Sequence, residues 1–161
     1  MEIKSDFVKL IKENEGIIFK VTTFYTNNEH DQNDLYQEIV YQLWKSFDSF
    51  RNESKISTWM YRVALNTSIT YLKKQKRRGT QVPIDRVILN KTDWSNSLHE
   101  EMVKTLYAQI TKLNDLEKGI VLLYLEGNSY EEIANITGFT VTNVGTRLGR
   151  IKQKLKSAIN K

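Results

Sequence analysis

Along most of this chain the apolar residues return every three or four positions, and that spacing leaves little room for anything but helices. Phe7, Leu10, Ile11, Ile17, Ile18, Val21 and Phe24 recur in this way across residues 6–26, with a break expected near Gly16. Residues 33–49 carry Leu35, Ile39, Leu43 and Phe47 on one stripe, with Val40 and Trp44 beside it; Asp31 or Asn33 is placed to cap the start. Residues 56–76 repeat the pattern with Ile56, Trp59, Met60, Val63, Ile69 and Leu72, from a start at Ser57 or Thr58. Three such helices can share one small core. Residues 77–99 lose the rhythm: they hold Gly79, the single proline Pro83 and a polar run at 92–97, and they read as a linker. A second helical unit begins near Leu98, with Met102, Leu106, Ile110 and Leu113 expected on its first face. The chain therefore reads as all-α, with two small helical domains, 1–76 and 100–161, joined by a linker over 77–99. Its 161 residues suffice for that arrangement.

Composition removes several functions. There is no cysteine, hence no disulfide, no thiolate metal site and no cysteine nucleophile; a reducing cytoplasm fits. His30 and His99 stand far apart in polar surroundings and read as exposed loop residues, because a metal site needs several convergent ligands. Asp34 and Glu38 can share a helix face, and paired acids can hold Mg²⁺. No further acid cluster, histidine set or glycine-rich phosphate loop joins them, so no cofactor, metal or catalytic residue is expected and the chain is not read as an enzyme. No apolar run is long enough for a signal peptide or a membrane span.

Charge is distributed unevenly around a net +5. Residues 1–50 hold five basic and nine acidic residues; residues 51–78 hold eight and one; residues 133–161 hold six and none. Two separate basic zones suggest two contacts on a polyanion.

The second zone coincides with the sharpest local pattern. Leu116–Leu125 is apolar enough to be buried, and Gly127 and Asn128 break it. A short helix Tyr130–Ile136 follows, with Ser129 as its cap, then a tight turn at Thr137 and Gly138. A longer helix, capped by Thr140 or Thr142, runs to about Ile159. Ala134, Gly138 and Val144 have the spacing of a helix-turn-helix, whose second helix enters the major groove by its N-terminal half. That half offers Thr142, Asn143, Gly145, Thr146, Arg147 and Arg150; arginine pairs with a guanine edge and asparagine with adenine. Lys152, Lys154 and Lys156 are better suited to phosphates or water.

In the first zone, residues 50–78, Phe50, Trp59, Tyr61 and Tyr71 interleave with Arg51, Lys55, Arg62, Lys73 and Lys74. Rings that accept unstacked bases, beside cations that track phosphates, suit single-stranded nucleic acid. Trp59 by itself reads as core.

Three motifs in order resemble the extracytoplasmic-function group of sigma-70-type transcription-initiation factors, over nearly the full length. Asp34, Leu35, Tyr36, Gln37 and Glu38, followed by Leu43, Trp44 and Lys45, are similar to one helix of that family. Phe50–Ser54, Ser57–Arg62, Val63, Ala64 and Asn66 are similar to its promoter-opening segment. Ser129–Ala134 and Val144–Leu148 are similar to its upstream-element reader. The resemblance implies that Asp34, Gln37, Glu38 and Gln42 dock on the clamp helices of the largest subunit of core RNA polymerase. It implies that Phe50, Arg51, Asn52 and Lys55 take a flipped base of the melted strand, with Arg62, Asn66 and Lys73 near that strand. It assigns the upstream duplex to the C-terminal domain, through Thr142, Asn143, Gly145, Thr146, Arg147, Arg150 and Lys154, along with a contact to the polymerase flap. Promoter DNA and core polymerase are thus the expected partners, in the bacterial cytoplasm, and the group often adds an anti-sigma factor.

Two features depart from the family. Leu65 stands where many members have a basic residue, and Gly145 and Gly149 each cost a helix about 1 kcal/mol. The alternative is a dimeric helix-turn-helix regulator, which would bind duplex alone on a two-fold site. It leaves the Asp34–Trp44 helix and the Phe50–Asn66 segment without a task.

Overall fold

A computed structural model describes residues 2–50, 54–77 and 97–159, with side chains over 4–50, 54–77 and 100–158. Every described element is helical. The chain divides into two compact units, Met1–Thr80 and Gln81–Lys161. The expected linker lies almost wholly outside the described residues, as do Arg51 and Asn52.

The first unit contains α1 (Glu2–Glu13), α2 (Glu15–Tyr25), α3 (Glu29–Ser46) and α4 (Ile56–Arg77). The break between α1 and α2 falls at Asn14, two residues before the glycine expected to make it. Asn14 donates its side-chain amide to the Leu10 carbonyl at 3.0 Å, a local bond that competes with continuing the helix. Gly16 lies inside α2. α3 starts four residues earlier than the expected 33: neither Asp31 nor Asn33 is its cap. Asn28 is, its side-chain oxygen accepting from the Asp31 N–H at 2.8 Å. The first turn of α3 is polar throughout, so the apolar stripe begins only at Leu35 and conceals the true start. His30, expected in a loop, belongs to that turn; its ring lies 3.4 Å from the Asp34 carboxylate. A short 3-10 turn, Phe47–Ser49, takes over where the α-helix was expected to continue to 49. α4 begins at Ile56, before the expected Ser57 or Thr58.

Ile18, Val21 and Phe24 of α2, Leu35, Ile39 and Leu43 of α3, and Met60, Ala64 and Leu72 of α4 form the shared core. A buried hydrogen bond from Gln32 to the Thr23 hydroxyl, 2.8 Å, pins α3 against α2. Trp59 is core, only 6% exposed. Phe7 closes one end of the unit, edge-on to Trp44 and Phe47 at 5.1 and 5.4 Å.

The second unit contains α5 (Ser97–Ile110), α6 (Asp115–Leu125), α7 (Tyr130–Thr137) and α8 (Val141–Ile159). Its connections are built by caps. Asn114 with Glu117 and Ser129 with Glu132 form reciprocal capping boxes at the starts of α6 and α7. Gly138 ends α7 at φ +87°, a left-handed angle that glycine adopts without strain. Thr140, rather than Thr142, caps α8, accepting from the Asn143 N–H at 3.0 Å. Val144, Leu148 and Ile151 of α8 are buried with Ile110, Ile120, Leu123 and Ile133. The expected face of α5 is covered only towards its end: Ile110 and, just beyond it, Leu113 are buried, Leu106 is half-buried and Met102 is 57% exposed.

Candidate nucleic-acid and polymerase interfaces

The buried stripe of Val144, Leu148 and Ile151 fixes the roll of α8 and so decides what the helix presents outward. Thr142, Asn143, Thr146 and Arg150 are exposed; Gly145 and Arg147 are half-buried at the flanks. The turn at Gly138 sets α8 against α7, leaving the N-terminal end of α8 accessible, as a groove-entering helix requires. Arg147 is tied down: its Nε donates to the Asn143 Oδ1 at 2.6 Å, and its guanidinium lies 4.2 Å from the centroid of the Phe139 ring. Farther along, Lys154 Nζ sits 3.3 Å from the Glu117 carboxylate of α6, so a phosphate would have to compete for it. Lys152 donates to the Tyr124 hydroxyl at 3.2 Å, and this bond raises its ammonium pKa above the ordinary value.

Within the first unit, Arg62, Asn66 and Lys73 are exposed at positions i, i+4 and i+11 of α4, which puts them on one stripe. Lys55 is exposed just before that helix. Phe50 is half-buried, stacked on Trp59 at 4.7 Å with 25° between the planes. Of the four rings that interleave with the cations, Phe50 and Trp59 stack on each other, Trp59 and Tyr61 are buried, and Tyr71 is half-buried.

On α3, Asp34, Gln37 and Glu38 are exposed and Gln42 is half-buried, donating to Glu38 at 3.1 Å. All four line a polar groove of about 780 Å³ whose other wall is α4, including Asn66, Thr70 and Lys74. The structure thus brings the four α3 residues and Asn66 to one groove. Tyr71 closes its end, 3.4 Å from Asp31; burial, then the charge of Asp31, raises its phenol pKa above the ordinary value. His30, Asp31 and Asp34 bring potential metal-binding atoms within 4.8 Å of one another. Asp31 is already bonded to Asn28 and Tyr71, and three groups on one exposed helical turn do not enclose an ion. Acids at a helix N-terminus are favourable for their own sake.

Comparison with known proteins supplies the family. A sigma-70 region 2 model matches residues 10–78, and a sigma-70 region 4 model matches 104–155. The chain is 31% identical to the ECF RNA polymerase sigma-E factor of Escherichia coli (strain K12), over 80% of this chain and 74% of that protein. It is also 31% identical to the sigma-E factor of Haemophilus influenzae, over 97% and 88%. The chain belongs to the extracytoplasmic-function group of sigma-70 factors. It is an RNA polymerase sigma factor, which directs transcription initiation. Solved structures show the same fold: CnrH in complex with the cytosolic domain of CnrY has a TM-score of 0.66 at 19% identity, covering 98% of this chain and 89% of that one. The sigma factor RpoE of Bartonella quintana, in complex with the anti-sigma factor NepR, has 0.64 at 16%, covering 99% and 97%.

Two features of this sigma factor escaped the sequence. Leu65, the departure from the family pattern, is 5% exposed and packed into the first core, so the position offers no side chain to DNA here. Along α1 and α3 runs a second groove, about 520 Å³ and almost wholly apolar, lined by Phe7, Val8, Val40, Tyr41 and Trp44 among others. Trp44 is 43% exposed and Tyr41 53%. The sequence placed Val40 and Trp44 only at the edge of a buried face, because whether an edge residue is covered depends on where the neighbouring helix lies. No described helix is long and apolar enough to cross a membrane.

Proposed function

We propose that the two units of this sigma factor divide the work of initiation. The first docks on the clamp helices of the polymerase largest subunit through Asp34, Gln37, Glu38 and Gln42. It holds the melted start-proximal element through Phe50, Lys55, Arg62, Asn66 and Lys73, with Arg51 and Asn52 assigned by motif alone. The second reads the upstream element as duplex through the face that carries Thr142, Asn143, Gly145, Thr146, Arg147, Arg150 and Lys154, and touches the polymerase flap. Residues 77–99 connect the domains 1–76 and 100–161. The protein acts by binding and catalyses nothing itself, in the cytoplasm of a bacterium. An anti-sigma factor is a further partner, supported by a related fold solved with NepR.

The observation that carries this division is the pair of outward faces on separate units: the exposed Arg62, Asn66 and Lys73 stripe of α4 with the stacked Phe50 and Trp59 rings, and a helix-turn-helix N-terminus on α8. The first suits unstacked strand and the second suits duplex. Transcription from sheared host DNA by core polymerase, with and without the protein, tests the reading. New discrete starts sharing two short upstream elements are expected. The absence of new starts, together with specific duplex binding by the protein alone, would overturn it.

A further inference from the structure

Two side chains from different parts of the helix-turn-helix converge on Arg147. Phe139 stands in the turn, one residue after Gly138, and its half-buried ring lies under the guanidinium at 4.2 Å. Asn143, one turn before Arg147 on α8, accepts from its Nε at 2.6 Å. Asn143 is itself held, because its backbone N–H donates to the Thr140 hydroxyl that caps the helix. An arginine on a helix surface ordinarily has several rotatable bonds to order when it binds, which weakens the contact it makes. Here both the Nε edge and one face of the plane are engaged within the protein.

We propose that Phe139 and Asn143 are positioning residues that fix Arg147 in one pose before DNA arrives, and that Asn143 reads no base itself. The inference rests on α8 being the duplex-facing helix. Asparagine recognises adenine end-on by accepting at Oδ1 and donating at Nδ2; in this chain Oδ1 already accepts from Arg147, a bond that turns the amide towards the arginine and that an end-on approach to adenine would have to share or break. The guanidinium, by contrast, keeps both terminal NH₂ groups. Those two donors form the fork that matches the paired acceptors O6 and N7 of a guanine edge. The cation–π contact covers a face of the plane and leaves that fork open. Arg147 thus meets DNA already ordered, with selectivity assigned to a position that three residues serve together.

Two measurements on the full chain test this. Side-chain ¹⁵N relaxation of Arg147 Nε in the free protein should show an ordered group, loosened in Asn143→Ala and in Phe139→Leu, which keeps an apolar contact in the turn. Transcription by core polymerase from a promoter library randomised in the upstream element supplies the function. Arg147→Ala should lower the preference at one base pair by roughly tenfold. Asn143→Ala should weaken the same preference, and the double variant should be no worse than Arg147→Ala alone. A mobile Arg147 in the wild type overturns the proposal even if Arg147→Ala loses selectivity. So does an Asn143→Ala variant that loses a different base pair additively. An ordered Arg147 whose removal leaves every promoter unaffected overturns instead the assignment of this arginine to duplex reading. An ordered Arg147 whose removal weakens all promoters alike supports the positioning and transfers the fork from a base to a phosphate.

Discussion

Trp59 packs in the first core and, on the proposed reading, backs the surface that meets the melted strand. Its indole is buried in the first core, and the ring of Phe50 stacks on its face. Trp59→Ala should lower stability by about 3–5 kcal/mol, seen as a fall in the denaturant midpoint with little change in slope. Full stability with failed promoter opening would instead assign Trp59 to strand contact alone. Gly149 presents the opposite case. It lies within α8, and a Cβ there would meet nothing within 4 Å. Gly149→Ala should therefore stabilise the protein by about 1 kcal/mol; an unchanged or lower melting temperature would count against an open site. Trp59 was legible as core from its spacing in the sequence. The burial of Leu65 was not, because a single leucine at a position usually held by a base carries no sign of which way α4 rolls.

The elements were read best where local chemistry alone specifies them. Ser129 announces a helix start and Gly138 a turn, and the structure has both. α3 was harder, since its first turn carries no apolar residue and its cap, Asn28, lies outside the stripe. Asn28→Ala should cost about 1 kcal/mol through loss of that cap, measured by chemical unfolding. The exposed polar face of the same helix gives a separate prediction. Charge reversal at Asp34 or Glu38 should weaken binding to core polymerase while leaving the melting temperature nearly unchanged, because neither side chain contributes to the core. Unaltered affinity in a direct binding assay would remove these residues from the interface. The apolar groove beside α1 was illegible for a different reason. A stripe fixes which residues share a face, and only the position of a second helix decides which of them stay uncovered.

At the scale of the whole molecule, each unit has its own core, and the residues assigned to strand and duplex fall in different units. The two should therefore unfold with separable stabilities. In calorimetry or hydrogen exchange, Trp59→Ala should lower the stability of α2, α3 and α4 and leave α6, α7 and α8 protected. A uniform loss across both units would show that they unfold as one. The division into two lobes was visible in the sequence as a loss of periodicity, and the basic zones marked each lobe. The shared wall of the α3–α4 groove was not visible, since it joins residues some thirty positions apart whose proximity depends on packing.

The left-handed turn at Gly138 has a consequence for how this chain tolerates change. In a saturation scan scored by promoter activity, column 138 should be almost empty, with asparagine the best survivor, since few other side chains accept that backbone angle. Column 149, eleven residues downstream, should accept most helix-forming letters when the same scan is scored by stability. Two identical residues in one motif would then be under opposite constraint, and a tally of glycines would reveal neither.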